Sequence, residues 1–215
     1  MAVLLTCFSW DMAKFEVCCH KWADLSENGY GVSVLNDSKY GFATCGNLMR
    51  LSLLRASKAP DAHADMGRHR IRYAILPHAG PLDSRTIRAG YNFNHPLVLE
   101  PASSSKATDA FKSISLEGSP SLVLDAVKRG EDDEDVTRDN LPRRAGQSVI
   151  LRIYESLGGK SRGTIITKLP IKKAWKCNIL EDDETTLTLS KGDTDTTSID
   201  IELRAFEVAT YRLQL

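Results

Sequence analysis

Arg70-Ile71-Arg72-Tyr73-Ala74-Ile75-Leu76 alternates charged and apolar side chains with a period of two, so that successive residues face opposite sides of an extended chain. The same short-period pattern recurs on both sides of it. Before it come Lys14–Cys19, Gly31–Leu35, Gly41–Thr44 and Met49–Leu54. The alternating segment itself extends over Arg68–Leu76 and is followed by Thr86–Phe93. Gly, Asn, Asp and Pro separate the runs, and no window sustains a helical period, so the fold class is all-β. Asn36-Asp37-Ser38-Lys39 has the composition of a turn joining two antiparallel strands.

Pro101-Ala-Ser-Ser-Ser-Lys-Ala-Thr-Asp is small and polar, a linker composition. Beyond it a second set of strands is expected at Ile114–Leu116, Leu122–Val127, Ser148–Tyr154, Gly163–Ile166, Trp175–Asn178, Thr186–Leu189 and Ile199–Leu203, closing on Phe206–Leu213. So many short strands in one stretch predict a β-sandwich. The expected organisation is two antiparallel β-sandwich domains, residues 1–104 and 113–215, with a linker over 105–112. The charged segment between Lys128 and Gly146 reads as an exposed loop.

Lys plus Arg and Asp plus Glu number 28 each in 215 residues, so no global field draws the chain to nucleic acid or an anionic membrane. A neutral partner fits better. The odd set of five cysteines without CxxC spacing predicts reduced thiols in a cytosolic setting. The apolar start lacks a basic n-region, and no stretch nears the roughly 18 apolar residues of a membrane helix. A soluble chain is expected, in which the sequon Asn36-Asp37-Ser38 goes unused.

Several patterns invite chemistry and have simpler explanations. His63-Ala64-Asp65, with His69 nearby, has metal-ligand residue types but sits in an expected exposed turn. His78 and His95 are lone histidines at strand ends. Glu131–Asp135 and Glu181–Glu184 offer oxygen ligands without the spacing of a calcium loop, and read as solvated loops held extended by like-charge repulsion. Cys18-Cys19-His20 pairs thiol with imidazole, but neighbours on a strand face apart. No GxSxG, P-loop or HExxH motif is present. The segment His20–Gly31 differs: Trp22, Asp24, Glu27 and Tyr30 place aromatic faces and carboxylates in an expected Gly-containing loop, the groups that bind sugar C–H patches and hydroxyls.

That segment also carries a resemblance. Phe15-Glu16-Val17, His20-Lys21-Trp22-Ala23-Asp24-Leu25-Ser26-Glu27, Gly29-Tyr30-Gly31-Val32 and Leu35–Gly41 resemble the C-terminal β-region of family 38 α-mannosidases of the cytosolic and fungal vacuolar type. Gly46–Arg55, Ala59-Pro60-Asp61, Ala64–His69, Tyr73–His78, Leu169–Glu181 and Glu202–Tyr211 continue it in order. The resemblance implies a retaining, zinc-dependent glycoside hydrolase acting on mannose-containing oligosaccharides. Its carboxylate nucleophile and zinc ligands lie in an N-terminal catalytic domain, so zinc is expected outside this chain and no catalytic residue within it. The expectation is a C-terminal fragment, inactive alone, whose first domain is truncated at its N-terminal side.

By the same resemblance Trp22, Asp24, Glu27 and Tyr30 are substrate-shaping groups, and the missing catalytic domain is a partner. Residence in the cytoplasm is the expectation, with delivery to the vacuole as the open alternative. An exposed apolar face left by lost partner strands would favour homo-oligomers. The alternative is a stand-alone carbohydrate-binding or assembly β-domain without catalysis.

Overall fold

The computed structural model describes residues 15–99, 101, 113–136, 144–192 and 196–215. The chain forms two compact units, Met1–Leu99 and Glu100–Leu215. The linker expected over 105–112 lies outside the described residues. Among the described residues no helix is long and apolar enough to cross a membrane.

In the first unit, β1 (Val17–Cys18), β4 (Gly41–Cys45) and β5 (Leu48–Leu51) form one antiparallel sheet in the order β1-β4-β5. A second sheet has the order β2-β3-β6, from β2 (Trp22–Ser26), β3 (Tyr30–Asn36) and β6 (Tyr73–Ala79). Buried Cys19, Ala23 and Phe42 form a small core, with Val17, Val34, Met49 and Leu51 packed against it. The edge strand β6 leaves Tyr73 and Ile75 exposed, and exposed Tyr30 of β3 lies on the same face at the strand's other end, opposite Ala79.

Four expectations need correction here. Residues 86–93 are not a strand but lie within α1 (Ser84–Asn94). Asp83 caps that helix by accepting the Arg85 N–H at 2.8 Å, and Thr86, Ile87 and Gly90 form its buried face. Trp22–Ser26 is strand rather than loop, because Trp22, Asp24 and Ser26 on one face and Ala23 and Leu25 on the other each find cross-strand partners on β3. The turn Asn36–Lys39 does not pair its flanking strands: β3 and β4 belong to different sheets, so the chain crosses between layers there. The strand expected from Arg68 begins only at Tyr73, where pairing with Asn36 of β3 starts.

The second unit is an antiparallel sandwich. One sheet has the order β13-β14-β10-β7, from β7 (Ile114–Gly118), β10 (Ser161–Thr167), β13 (Ser190–Lys191) and β14 (Thr197–Leu203). The other, β12-β11-β15-β9-β8, comprises β8 (Leu122–Arg129), β9 (Ser148–Glu155), β11 (Lys173–Cys177), β12 (Asp183–Leu187) and β15 (Val208–Gln214). Alternate residues Leu151 and Ile153 of β9, Ile199, Ile201 and Leu203 of β14, and Tyr211 and Leu213 of β15 meet in one core. Each such aliphatic side chain contributes about 1.5–3 kcal/mol on burial.

The two acidic runs are not solvated loops throughout, since they converge on Arg212, which is fully buried. Arg212 Nη1 donates to Asp132 Oδ1 at 2.7 Å, Nη2 donates to the Glu181 carbonyl at 2.9 Å, and Nε lies 3.2 Å from Asp183 Oδ1. Asp133, also fully buried, accepts from Ser148 N and Oγ and pairs with Arg129. Opposite charge supplied from a distant strand thus overrides the expected repulsion.

Candidate functional site

The β2–β3 hairpin divides the four residues singled out from the sequence. Trp22 and Asp24 lie on the face that α1 covers. The Trp22 indole packs against Gly90, where a Cβ would approach its ring to 2.8 Å, and tilts against Tyr91 at 6.5 Å between centroids. Glu27 and Tyr30 are exposed at the hairpin turn, closed by the Glu27 N–H donating to the Tyr30 carbonyl at 2.8 Å. The structure therefore brings Trp22 and Asp24 together beneath a helix and leaves Glu27 and Tyr30 facing solvent.

Asp24 is the centre of a buried polar network. Its Oδ2 accepts from Ser33 Oγ at 2.5 Å and lies 2.6 Å from His78 Nε2, and Ser33 Oγ meets Thr86 Oγ1 of α1 at 3.1 Å. Ser, His and Asp are the residue types of a hydrolytic triad, but their order is wrong for one. Serine and histidine both contact the same carboxylate oxygen, so the imidazole has no serine proton to accept. Ser33 is fully buried, which also keeps substrate from it.

A polar hollow of about 630 Å³ lies in the same unit. Glu16, Ser52 and Asp65 contribute oxygens, Lys39 and Arg55 contribute cations, and the half-exposed Leu53 and Leu54 add apolar surface. Ser52 Oγ donates to Glu16. Asp65 Oδ2 accepts the N–H of Ala56 at 3.2 Å, holding that residue at φ 49°, in the left-handed region. Paired carboxylates and cations beside aliphatic surface suit a neutral, polyhydroxylated ligand. The sequence reading missed this hollow because it continued the strand to Leu54, whereas β5 ends at Leu51 and the chain then turns its leucines outward. The two adjacent leucines at 53 and 54, which break the alternation, were the available signal.

The described residues do not fit a zinc ion. His63 and Asp65 stand in an exposed turn, the Asp65 carboxylate is engaged by Ala56, and the His69 ring lies 2.7 Å from the Asp65 carbonyl. Among the described residues no three His, Cys, Asp or Glu side chains gather as a metal-holding group. Asn36 of the sequon is fully buried, its Nδ2 donating to the Cys19 carbonyl at 3.1 Å. The described cysteines Cys18, Cys19, Cys45 and Cys177 are free thiols.

Residues 7–63 match the glycosyl hydrolases family 38 C-terminal domain, and residues 121–211 match the glycosyl hydrolases family 38 C-terminal beta sandwich domain. Together the two matches span more than half of the chain. An alpha-mannosidase of Saccharomyces cerevisiae is 48% identical over 95% of this chain and 19% of its own length. Alpha-mannosidase 2C1 of Homo sapiens is 43% identical over 80% of the chain and 16% of its own length. Alpha-mannosidase G of Dictyostelium discoideum is 36% identical over 95% of the chain and 18% of its own length. The chain thus spans less than a fifth of the length of the curated relatives it matches.

Proposed function

The chain belongs to glycosyl hydrolase family 38, and from that membership we propose that it forms the C-terminal β-part of an α-mannosidase that releases terminal α-linked mannose from oligosaccharides. The observation that carries this reading is the pair of collinear matches to the family's C-terminal domains. Hydrolysis with retention uses two carboxyl groups about 5 Å apart, one on each side of the scissile bond. In this reading the nucleophile and the zinc belong to a catalytic part outside this chain, and the chain alone is inactive.

The role left to the β-part is to shape and close the sugar site. Exposed Glu27 and Tyr30 at the hairpin turn, with Lys39 and Arg55 of the hollow, are the groups able to meet sugar hydroxyls and C–H faces. Trp22 and Asp24 act on the same substrate edge from beneath, by fixing the hairpin against α1 and β6. The face bearing Tyr30, Tyr73 and Ile75 supports a contact with the catalytic part. Without that part, the same face favours self-association. Free thiols support residence in a reducing compartment, the cytoplasm, with delivery to the vacuole as the alternative.

Co-expression of this chain with the yeast relative shortened by the matching segment tests the proposal. The two pieces are expected to co-purify, and Ile75→Asp is expected to weaken the association. A shortened relative that binds nothing, or a chain that binds it equally well with Ile75→Asp and Tyr73→Asp together, overturns the docking role.

A further inference from the structure

Cys18 and His20 flank the buried Cys19 at the end of β1. Being two residues apart they share a side of the extended chain, and His20 Nε2 lies 2.9 Å from Cys18 Sγ. Adjacent residues of an extended chain face apart, so the imidazole is turned away from Cys19 but not from Cys18. The His20 ring is stacked on Tyr40, with centroids 4.3 Å apart and planes 6° from parallel. Tyr40 is itself tied to this edge by its carbonyl, which accepts the Cys19 N–H at 2.7 Å. Cys18 and His20 are both exposed.

The neighbouring thiols have different surroundings. Cys19 is 3% exposed, donates its Sγ–H to the Trp22 carbonyl at 3.0 Å, and burial pushes its pKa up to about 11. Cys45 is exposed, with no hydrogen-bond partner for its sulfur among the described residues. Among the described residues there are thus a thiol beside an oriented imidazole, a sequestered thiol and an exposed thiol without a base.

We propose that Cys18 and His20 form a thiol–imidazole pair that exchanges with low-molecular-weight disulfides, making Cys18 a site of reversible S-thiolation. With the ring proton on Nδ1, His20 Nε2 accepts the Cys18 proton as the sulfur attacks one sulfur of the disulfide. A new S–S bond forms to Cys18 and the incoming S–S bond breaks. Its electron pair leaves on the departing sulfur, which takes the proton from the His20 imidazolium. A free small thiol reverses the exchange by attacking the mixed disulfide. The Tyr40 stack keeps the imidazole edge directed at Cys18 and leaves one face of the pair open.

The test is the rate of mixed-disulfide formation at each cysteine of the full chain, with dithiodipyridine and with oxidised glutathione, resolved by peptide mapping. Cys18 is expected to react roughly tenfold faster than Cys45, with Cys19 unmodified. His20→Gln brings Cys18 to the Cys45 rate, and Tyr40→Leu slows it severalfold. Equal rates at Cys18 and Cys45 in the native chain, or an unchanged Cys18 rate in His20→Gln, overturn the proposal. Should Cys19 become reactive in a variant, that variant has opened, and the native comparison of Cys18 with Cys45 decides alone.

Discussion

Asp24 Oδ2 lies 2.6 Å from His78 Nε2 across the intervening strand, with side chains only 2% and 6% exposed. This contact ties β2 to β6 although 54 residues separate the partners in sequence. His78 Nδ1 is buried without a partner among the described residues, so Asp24 alone orients the ring. Asp24→Ala leaves buried His78 without its partner and Ser33 with Thr86 alone, at an expected cost of about 2 kcal/mol or more. Urea denaturation checks this, with a lower midpoint and an unchanged slope as the expected outcome.

Two glycines make this packing tight, and both are expected to resist alanine. A Cβ at Gly31 would come within 2.3 Å of His78 Cε1 and 2.5 Å of Ser26 Cβ, driving the imidazole from Asp24. Gly90→Ala is the sharper case. The helix gains about 1 kcal/mol from losing its glycine, but a Cβ would meet Trp22 at 2.8 Å, and overpacking costs about 1–3 kcal/mol. The expected net is destabilisation, read as a fall in melting temperature; a rise would show that Trp22 shifts freely.

The sandwich was legible because strands such as β14 bury alternate residues, as the sequence pattern predicts. The helix was not. Its buried Thr86 and Ile87 are β-branched residues that favour strands, and Gly90 weakens the helical signal, although Asp83 followed by Ser84 offered a cap. Turn composition identified Asn36–Lys39 as a turn but could not tell a hairpin from a crossing between sheets, since both use the same residues. The acidic runs were misread because the neutralising Arg212 lies 80 residues from Asp132 in sequence. The exposure of Glu27 and Tyr30 at a turn was legible, whereas the hollow depends on where β5 stops.

Arg212 is the central cation of the buried charge cluster in the second unit. Burial pushes the Asp132 carboxyl up, but Arg212 and Arg144 together outweigh it and hold it below the usual carboxylate range. Arg212→Met leaves Asp132, Asp133 and Asp183 facing one another without their central cation, at an expected cost of about 3–5 kcal/mol. Arg212→Lys recovers part of this, since it keeps the charge and loses the guanidinium fork. Fluorescence of Trp175, whose ring lies 5.8 Å from the Arg144 guanidinium, follows the transition.

Glu155, only 1% exposed, accepts the N–H groups of Leu157, Gly158 and Phe206 at 3.0, 2.7 and 3.0 Å. Burial raises its pKa, but these three donors outweigh burial and hold it below the ordinary 4.5. A depressed folded pKa gives stability that is present above 4.5 and lost as the pH falls through the folded value. Glu155→Gln should therefore cost about 1–3 kcal/mol at neutral pH, and the deficit should shrink on acidification. A deficit independent of pH, measured from urea midpoints, would contradict this account of the carboxylate.

In the proposed function this β-part shapes a mannose site whose chemistry is performed elsewhere. The most direct measurement is release of the aryl group from an aryl α-mannoside by the purified chain with added zinc. The account predicts no turnover above the zinc blank. Turnover that follows the chain through purification would place the nucleophile within these residues and contradict it.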